Sequence, residues 1–444
     1  MLPTTVRKHG RRSTYSTTTQ GREKTLCCGI VLFMIIYFLS GFFTRSTTTT
    51  HSSLPKKHAA SLDLDLDLDL DLNKITKNDS LRLTDFQTKM ANISPKDITK
   101  EMIQNNEKRP SRVPTTIDIA VVADLDKNSK SNDTVHFTSL FTRGRIEYKT
   151  MSSYSISWSE PEVFSTKMNE GGRGFELSEL TWFRGKLYTF DDRTGIVYQL
   201  HNFRGGPLNT MHADPAHIIM EGDGHSGKGQ KNEWATVKDD FMYVGSIGKE
   251  YTDNEGNIIN SNNFWVARIG PTGHLDHLDW SYNYELMRKS LHCEYPGYLI
   301  HEAIRWSREL RKWIILPRRV SYEPYNDTLD ERKGSNVILI ASEDFKEIDV
   351  RRIGTITPER GFSSFTFVPS THDFILIALK SMENEAAQTQ SSFITIFDLD
   401  GHVYLEESLL PGQGVKYEGV ELLTDWTPRR YALEQSDASI EQKH

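Results

Sequence analysis

The sequence predicts an all-β fold, a five-bladed β-propeller preceded by one transmembrane helix and a disordered stalk, and three observations point to it. From Thr116 onward the chain breaks into short apolar, aromatic and β-branched runs separated by Gly, Asn and Asp, such as ELTWFRGKLYTFDDRTGIVYQL and EWATVKDDFMYVGSIG. Such runs read as antiparallel strands and hairpins. A sheet protein of about 310 residues must also remove its edges, by closing a barrel or by radial repetition. The third observation chooses repetition. Five strand starts share a Ser or Glu followed by a second residue and then apolar residues: Ser178-Glu-Leu-Thr-Trp, Glu233-Trp-Ala-Thr-Val, Glu302-Ala-Ile-Arg-Trp, Ser363-Ser-Phe-Thr-Phe and Glu418-Gly-Val-Glu-Leu. Their period of about 60 residues is long for a four-stranded blade, so extra loops or a helix must lie within the repeats. One helix is expected near Asn283 to Leu291, and the strand ending at Asp124 is expected to close the ring with the C-terminal segment.

The elements before the repeats read differently. Residues 1–25 are a basic tail, and Leu26 to Phe43, LCCGIVLFMIIYFLSGFF, is an uncharged apolar run at the short end of what spans a bilayer. The basic flank precedes it, so the positive-inside rule puts the N-terminus in the cytoplasm and the rest outside, as a single-pass type II signal anchor. The alternative is a cleaved signal peptide and a secreted form. Residues 44–115 form the stalk; the alternation LDLDLDLDLDL at 62–72 has one face made only of carboxylates and reads as a solvated spacer rather than a strand. Residues 116–423 are the propeller and 424–444 a polar tail. Sequons at Asn78, Asn92, Asn132 and Asn326 all follow the apolar run, as an exported glycoprotein requires.

Composition narrows the function. The 444 residues are 37 % hydrophobic, enough for a sizeable core, and 53 basic against 60 acidic residues give a net charge of −7. That balance argues against a nucleic-acid binder, which shows a basic face, though it allows a basic pocket for phosphates. Of three cysteines, Cys27 and Cys28 lie in the apolar run. Cys293 alone is exported, so the exported part has no intrachain disulfide and no cysteine zinc site. It is a buried thiol or an intermolecular link, which leaves a homodimer open.

In a propeller, equivalent inner-strand positions meet on the axis. Glu233, Glu302 and Glu418 would then share a channel with Ser178, Ser363 and Glu179. Like charges so placed repel unless a cation lies between them, and an all-oxygen donor set suits Ca²⁺ rather than Zn²⁺. The plainer alternative is ordinary turn-flanking polar residues. A second group comprises Asp124 and Asp126 at the end of IAVVADLD and Asp191-Asp192-Arg193-Thr194-Gly195. Such acids can orient a water beside a phosphate, with Arg143, Arg193, Lys249, Arg318 and Arg319 supplying positive charge. DDRTG also fits a type I turn. Gly222 to Gly229 nearly matches a phosphate-binding loop, but it lacks the final Ser/Thr and a following helix and is set aside.

The segments IAVVADLDKNS, GRGFELSEL, GKLYTFDDRTGIVYQL, EWATVKDDFMYVGSIGKE, PGYLIHEAIRWS, WIILPRRVS, DERKGSN, GFSSFTFVP and VKYEGVELL resemble, in order, the calcium-activated nucleotidase (apyrase) family, which includes salivary apyrases of blood-feeding arthropods and a vertebrate endoplasmic reticulum/Golgi enzyme. The resemblance covers roughly Ile117 to Leu423. It implies a five-bladed propeller with one axial Ca²⁺ on Ser178, Glu179, Glu233, Glu302, Ser363 and Glu418, the position of Glu179 often being Asp in the family. It also implies catalytic acids at Asp124 or Asp126 and at Asp192, and a functional Arg318. The expected activity is Ca²⁺-dependent hydrolysis of nucleoside di- and triphosphates such as UDP, GDP, ADP or ATP, in the endoplasmic reticulum/Golgi lumen or at the cell surface. The rival is a calcium-stabilised propeller without catalysis, binding a ligand or matrix component.

Overall fold

The computed structural model describes residues 114–425 apart from residues 134, 151–152, 206–209, 254–256, 385–386, 388 and 413. The expected anchor at 26–43, nearly all of the stalk and most of the tail lie outside the described residues. No helix among the described residues is long and apolar enough to cross a membrane.

The chain opens with β1 (Thr116–Asp124), β2 (Phe137–Thr150), β3 (Ser153–Trp158) and β4 (Glu162–Thr166). Blade I is β5 (Leu177–Phe183), β6 (Lys186–Asp191), β7 (Ile196–His201) and β8 (His212–Ile218). Blade II is β9 (Trp234–Lys238), β10 (Phe241–Gly245), β13 (Trp265–Ile269) and β14 (Leu275–Asp279), with a separate hairpin of β11 (Tyr251–Thr252) and β12 (Ile258–Asn260). Blade III is β15 (Tyr298–Ser307), β16 (Lys312–Ser321), β17 (Val337–Ala341) and β18 (Ile348–Arg352); blade IV is β19 (Arg360–Phe367), β20 (Ile375–Asn384), β21 (Thr389–Asp398) and β22 (Val403–Leu409). β23 (Lys416–Leu422) then pairs with β1, so blade V runs β23-β1-β2-β3, with β4 also on β2. The ring is closed as the sequence suggests, by the first strand and the last.

Each innermost strand touches the next, β5 to β9, β9 to β15, β15 to β19, β19 to β23 and β23 back to β5. Five apolar clusters fill the five seams between blades. β1 shows why its sequence is not a simple alternation. Ile117, Ile119, Val121 and Ala123 enter the seam with blade IV, while Ala120 and Val122 enter the seam with blade I. A strand buried on both faces needs apolar residues at both parities. The surplus length of the repeats is accounted for by α1 (Ser281–Ser290), between blades II and III, and by α2 (Asp327–Asp330), between β16 and β17. Tyr284 and Met287 of α1 pack into the seam with Trp280, Trp306 and Trp313.

Candidate active site

The repeat residues sit where the inner strands lose their regular pairing. In β5 the register with β6 slips between Leu177 and Glu179, which singles out Ser178. In β15 it slips between His301 and Ile304, around Glu302. In β19 it slips between Phe362 and Ser364, which singles out Ser363, and in β23 between Tyr417 and Gly419, which singles out Glu418. Four of the five repeat starts are therefore β-bulges, and Glu233 directly precedes β9. A bulge leaves its extra residue outside the ladder and bends the strand, which is how a side chain on a packed blade is re-aimed toward the axis. Gly419 permits the closest approach, because a Cβ there would lie 2.7–2.8 Å from the Glu179 backbone.

The bulges also change the period. The residue three places on from each start, Thr181, Thr236, Arg305, Thr366 and Glu421, is polar and buried in all five blades. These residues form a second layer. Arg305 lies 2.6 Å from Glu421 and 3.2 Å from Glu179 and donates to the Leu180 and Val420 carbonyls. Thr366 donates to Glu421, and the Thr236 hydroxyl accepts the Trp306 N–H.

In the first layer, carboxylate oxygens of Glu233, Glu302 and Glu418 lie within 4.8 Å of one another, all buried. Burial pushes Glu233 up to about 8, against the pull of Lys231, and raises Glu418 well above the carboxylate range against that of Lys416. Glu179 is fully buried. Its Oε1 accepts from Ser364 (2.7 Å) and the Leu180 N–H (2.8 Å), whereas its Oε2 has no partner. Burial, opposed by Arg305, pushes Glu179 up to about 8. The Ser178 and Ser363 hydroxyls donate to backbone carbonyls, of Asn232 and Tyr417 respectively.

Basic residues thread this cluster. Arg318, from β16, pairs with Glu302, lies 3.0 Å from Glu418 and donates to Ser381 at 2.7 Å. Lys231 joins Glu233 (2.6 Å) to Asp192. Lys416 joins Asp124 (2.6 Å), Glu383 (2.8 Å) and Asp126 (3.2 Å), with Glu418 at 3.6 Å. Asp124, Asp126 and Glu176 form a further carboxylate group, with ligand atoms within 4.8 Å of one another. Arg173 lies 2.5 Å from Glu176 and 3.8 Å from Asp126. Burial holds Asp124 well above its usual range, opposed by Lys416 and reinforced by the charges of Asp126 and Asp192. The axial glutamates and the acids at the ends of β1 and β6 thus belong to one connected site. Among the described residues, eight carboxylates in it meet five basic groups, Lys231, Arg318, Lys416, Arg173 and the neighbouring Arg319, an imbalance that an added cation would relieve.

The DDRTG segment divides its labour. Asp191 accepts the N–H groups of Phe175 (2.7 Å) and Arg193 (2.9 Å) and so fixes the turn, burial pushing it up to about 6. Asp192 alone reaches Lys231, and its Oδ1 is buried without a partner. Arg193 pairs with Glu170 at 2.6 Å. Arg143 is not brought to the site: it pairs with Glu162 (2.7 Å) and donates to the Phe203 carbonyl on the flank of blade V. Lys249 lies 3.9 Å from the Tyr325 ring centroid, and buried Arg319 has Nη1 without a partner beside the Arg318 charge. Lys228, in the set-aside glycine loop, engages Glu221 and Tyr251. Sequence reasoning missed Lys231, Lys416, Arg173, Glu176, Glu383 and Arg305. A signal for two of them was present, since Lys231-Asn-Glu233 and Lys416-Tyr-Glu418 repeat one pattern.

A ring of five blades around a buried, charged axial cluster defines the molecule as a five-bladed β-propeller. The apyrase family model matches residues 125–423. Over 321 residues the chain is 42 % identical to soluble calcium-activated nucleotidase 1 of Rattus norvegicus, covering 71 % of this chain and 76 % of the relative. Over 310 residues it is 40 % identical to an apyrase of Cimex lectularius, covering 69 % and 82 %. Over 306 residues it is 39 % identical to apyrase apy-1 of Caenorhabditis elegans, covering 68 % and 83 %. The chain belongs to the apyrase family.

Proposed function

We propose that this chain is a Ca²⁺-dependent hydrolase that removes the terminal phosphate of nucleoside di- and triphosphates. The observation that carries the reading is the continuity of the site. Lys231 bridges Glu233 to Asp192 and Lys416 bridges Glu418 to Asp124, so the axial oxygens and the acids of the phosphate site are held in one frame. The residues fit calcium. Glu233, Glu302 and Glu418, the unpartnered Oε2 of Glu179 and the carbonyls that the bulges at Ser178 and Ser363 take out of the ladder are all hard oxygen donors. When bound, Ca²⁺ supplies positive charge against the phosphate chain and holds the blades at the axis. The names of the relatives, calcium-activated nucleotidase and apyrase, support the same activity.

Asp192, or one of Asp124 and Asp126, takes a proton from water as its oxygen bonds to the terminal phosphorus. The bridging P–O bond breaks, inorganic phosphate leaves, and the remaining nucleotide departs with the electron pair. Arg318 and the unpartnered Nη1 of Arg319 neutralise charge on the transferring group. The test is phosphate release from UDP, GDP, ADP and ATP in Ca²⁺ and in chelator. Asp192→Asn should lower turnover by about 10²-fold or more while calcium binding persists. Near-normal rates in both Asp192→Asn and Asp124→Asn would remove the assignment, and no release from any nucleotide would favour a non-catalytic binding module.

We further propose that residues 26–43 anchor the chain with the propeller in the secretory lumen or at the cell surface. The exposure of Asn132 and Asn326 supports this. Glycosidase-sensitive sugar on either asparagine is expected, and an exported N-terminus would overturn the orientation.

A further inference from the structure

Blade I carries, away from the axis, a constellation of different chemistry. β8 is the outermost strand of its sheet and contains Pro215, as edge strands tolerate. Its His212 stands opposite His201 of β7, and Asp214 stands opposite Gln199. The imidazoles are parallel, with centroids 4.9 Å apart at 10°. His201 Nε2 lies 3.3 Å from Asp214 Oδ2 and 3.0 Å from the Gln199 amide nitrogen, and His212 Nδ1 lies 3.3 Å from the Thr210 carbonyl. One donor atom each from His201, His212 and Asp214 fall within 4.8 Å of one another.

We propose that His201, His212 and Asp214 form a transition-metal site that takes Zn²⁺, separate from the axial oxygen site. The donor set is two imidazoles and a carboxylate, which suits zinc, copper or nickel and not calcium. The second shell is in place. An Nδ1–H of His212 donating to the Thr210 carbonyl leaves Nε2 with its lone pair free for a metal, the outer partner that metal-bound histidines characteristically have. A Gln199 N–H donates to His201 Nε2 and so marks it as the nitrogen carrying the lone pair; zinc would take that lone pair in place of the Gln199 hydrogen bond, with the Asp214 carboxylate 3.3 Å away. The metal would staple the edge strand β8 to β7 and leave coordination positions open to water.

The test is isothermal titration of ZnCl₂ into the full chain in saturating CaCl₂, so that the axial donors are occupied. One zinc equivalent is expected, and His201→Asn, His212→Asn and Asp214→Asn should each weaken it by about 10-fold or more while leaving calcium-dependent phosphate release unchanged. Zinc should also raise the melting temperature of the wild type and not of the variants, and the zinc absorption edge should report nitrogen and oxygen neighbours. Identical zinc titrations for wild type and all three variants would overturn the site. So would a wild type that binds none.

Discussion

Arg305 is the most exacting point at which to test the architecture. It starts on β15 and reaches β5 and β23, so one guanidinium ties three blades together through Glu179, Glu421 and two backbone carbonyls. The side chains of Arg305, Glu179 and Glu421 are 8 %, 0 % and 8 % exposed, so solvent cannot replace the lost partner. Arg305→Met keeps most of the volume, strands the Glu421 carboxylate and removes the partner of Glu179. Breaking a buried pair from one side costs about 3–5 kcal/mol. At about 2 °C per kcal/mol for a domain of this size, the melting temperature should fall by about 6–10 °C. The assay is thermal unfolding in chelator, with the triple variant Arg305→Met, Glu179→Gln, Glu421→Gln alongside. Neutralising both acids should recover at least half of the loss, and added calcium should narrow the deficit of the single variant by giving Glu179 a cation. A shift of less than about 2 °C in chelator, or no recovery in the triple variant, would refute the claim that Arg305 balances the second layer.

Three further outcomes follow from the same geometry. Glu302→Gln removes one axial charge while keeping shape; calcium affinity by titration calorimetry should fall about 10-fold or more, with a smaller calcium-dependent rise in melting temperature. Glu179 and Glu233 are pushed up to about 8 from an ordinary 4.5, so in the metal-free fold they keep protons that the unfolded chain releases. Metal-free stability should therefore fall as pH rises from 4.5 to 8, and calcium binding at pH 7 should expel about one to two protons, read as a buffer-dependent binding heat. Gly419→Ala would drive a Cβ to 2.7–2.8 Å from the Glu179 backbone, which should cost about 1–3 kcal/mol in denaturant titration.

The blades and the axial glutamates were legible because burial on two faces and radial repetition both leave periodic marks. The five starts from Ser178 to Glu418 are one position seen five times. What the sequence concealed follows from the bulges. An extra residue in an inner strand puts positions i and i+3 on one side, so Thr181, Thr236, Arg305, Thr366 and Glu421 form a polar layer that a period of two does not anticipate. Partners from neighbouring strands were equally hidden. Arg318 reaches Glu302 across a hairpin, and Glu176 meets Asp126 across the start of blade I. Arg143 shows the converse case: a basic residue near a suggestive strand pairs with Glu162 on the flank.

The closure of blade V fixes when the site comes into being during synthesis. Among the described strands, Asp124 lies on the first to leave the ribosome, while Lys416 and Glu418 lie on the last. The face of β1 that carries Ala120 and Val122 can be covered early by blade I, but the face that carries Ile117, Ile119, Val121 and Ala123 must wait for blade IV and β23. A nascent chain or one truncated before Glu418 holds four blades, an unzipped fifth and half of the charged frame. The domain therefore gains its proposed activity in a single late event, and an incomplete product is silent as well as unstable.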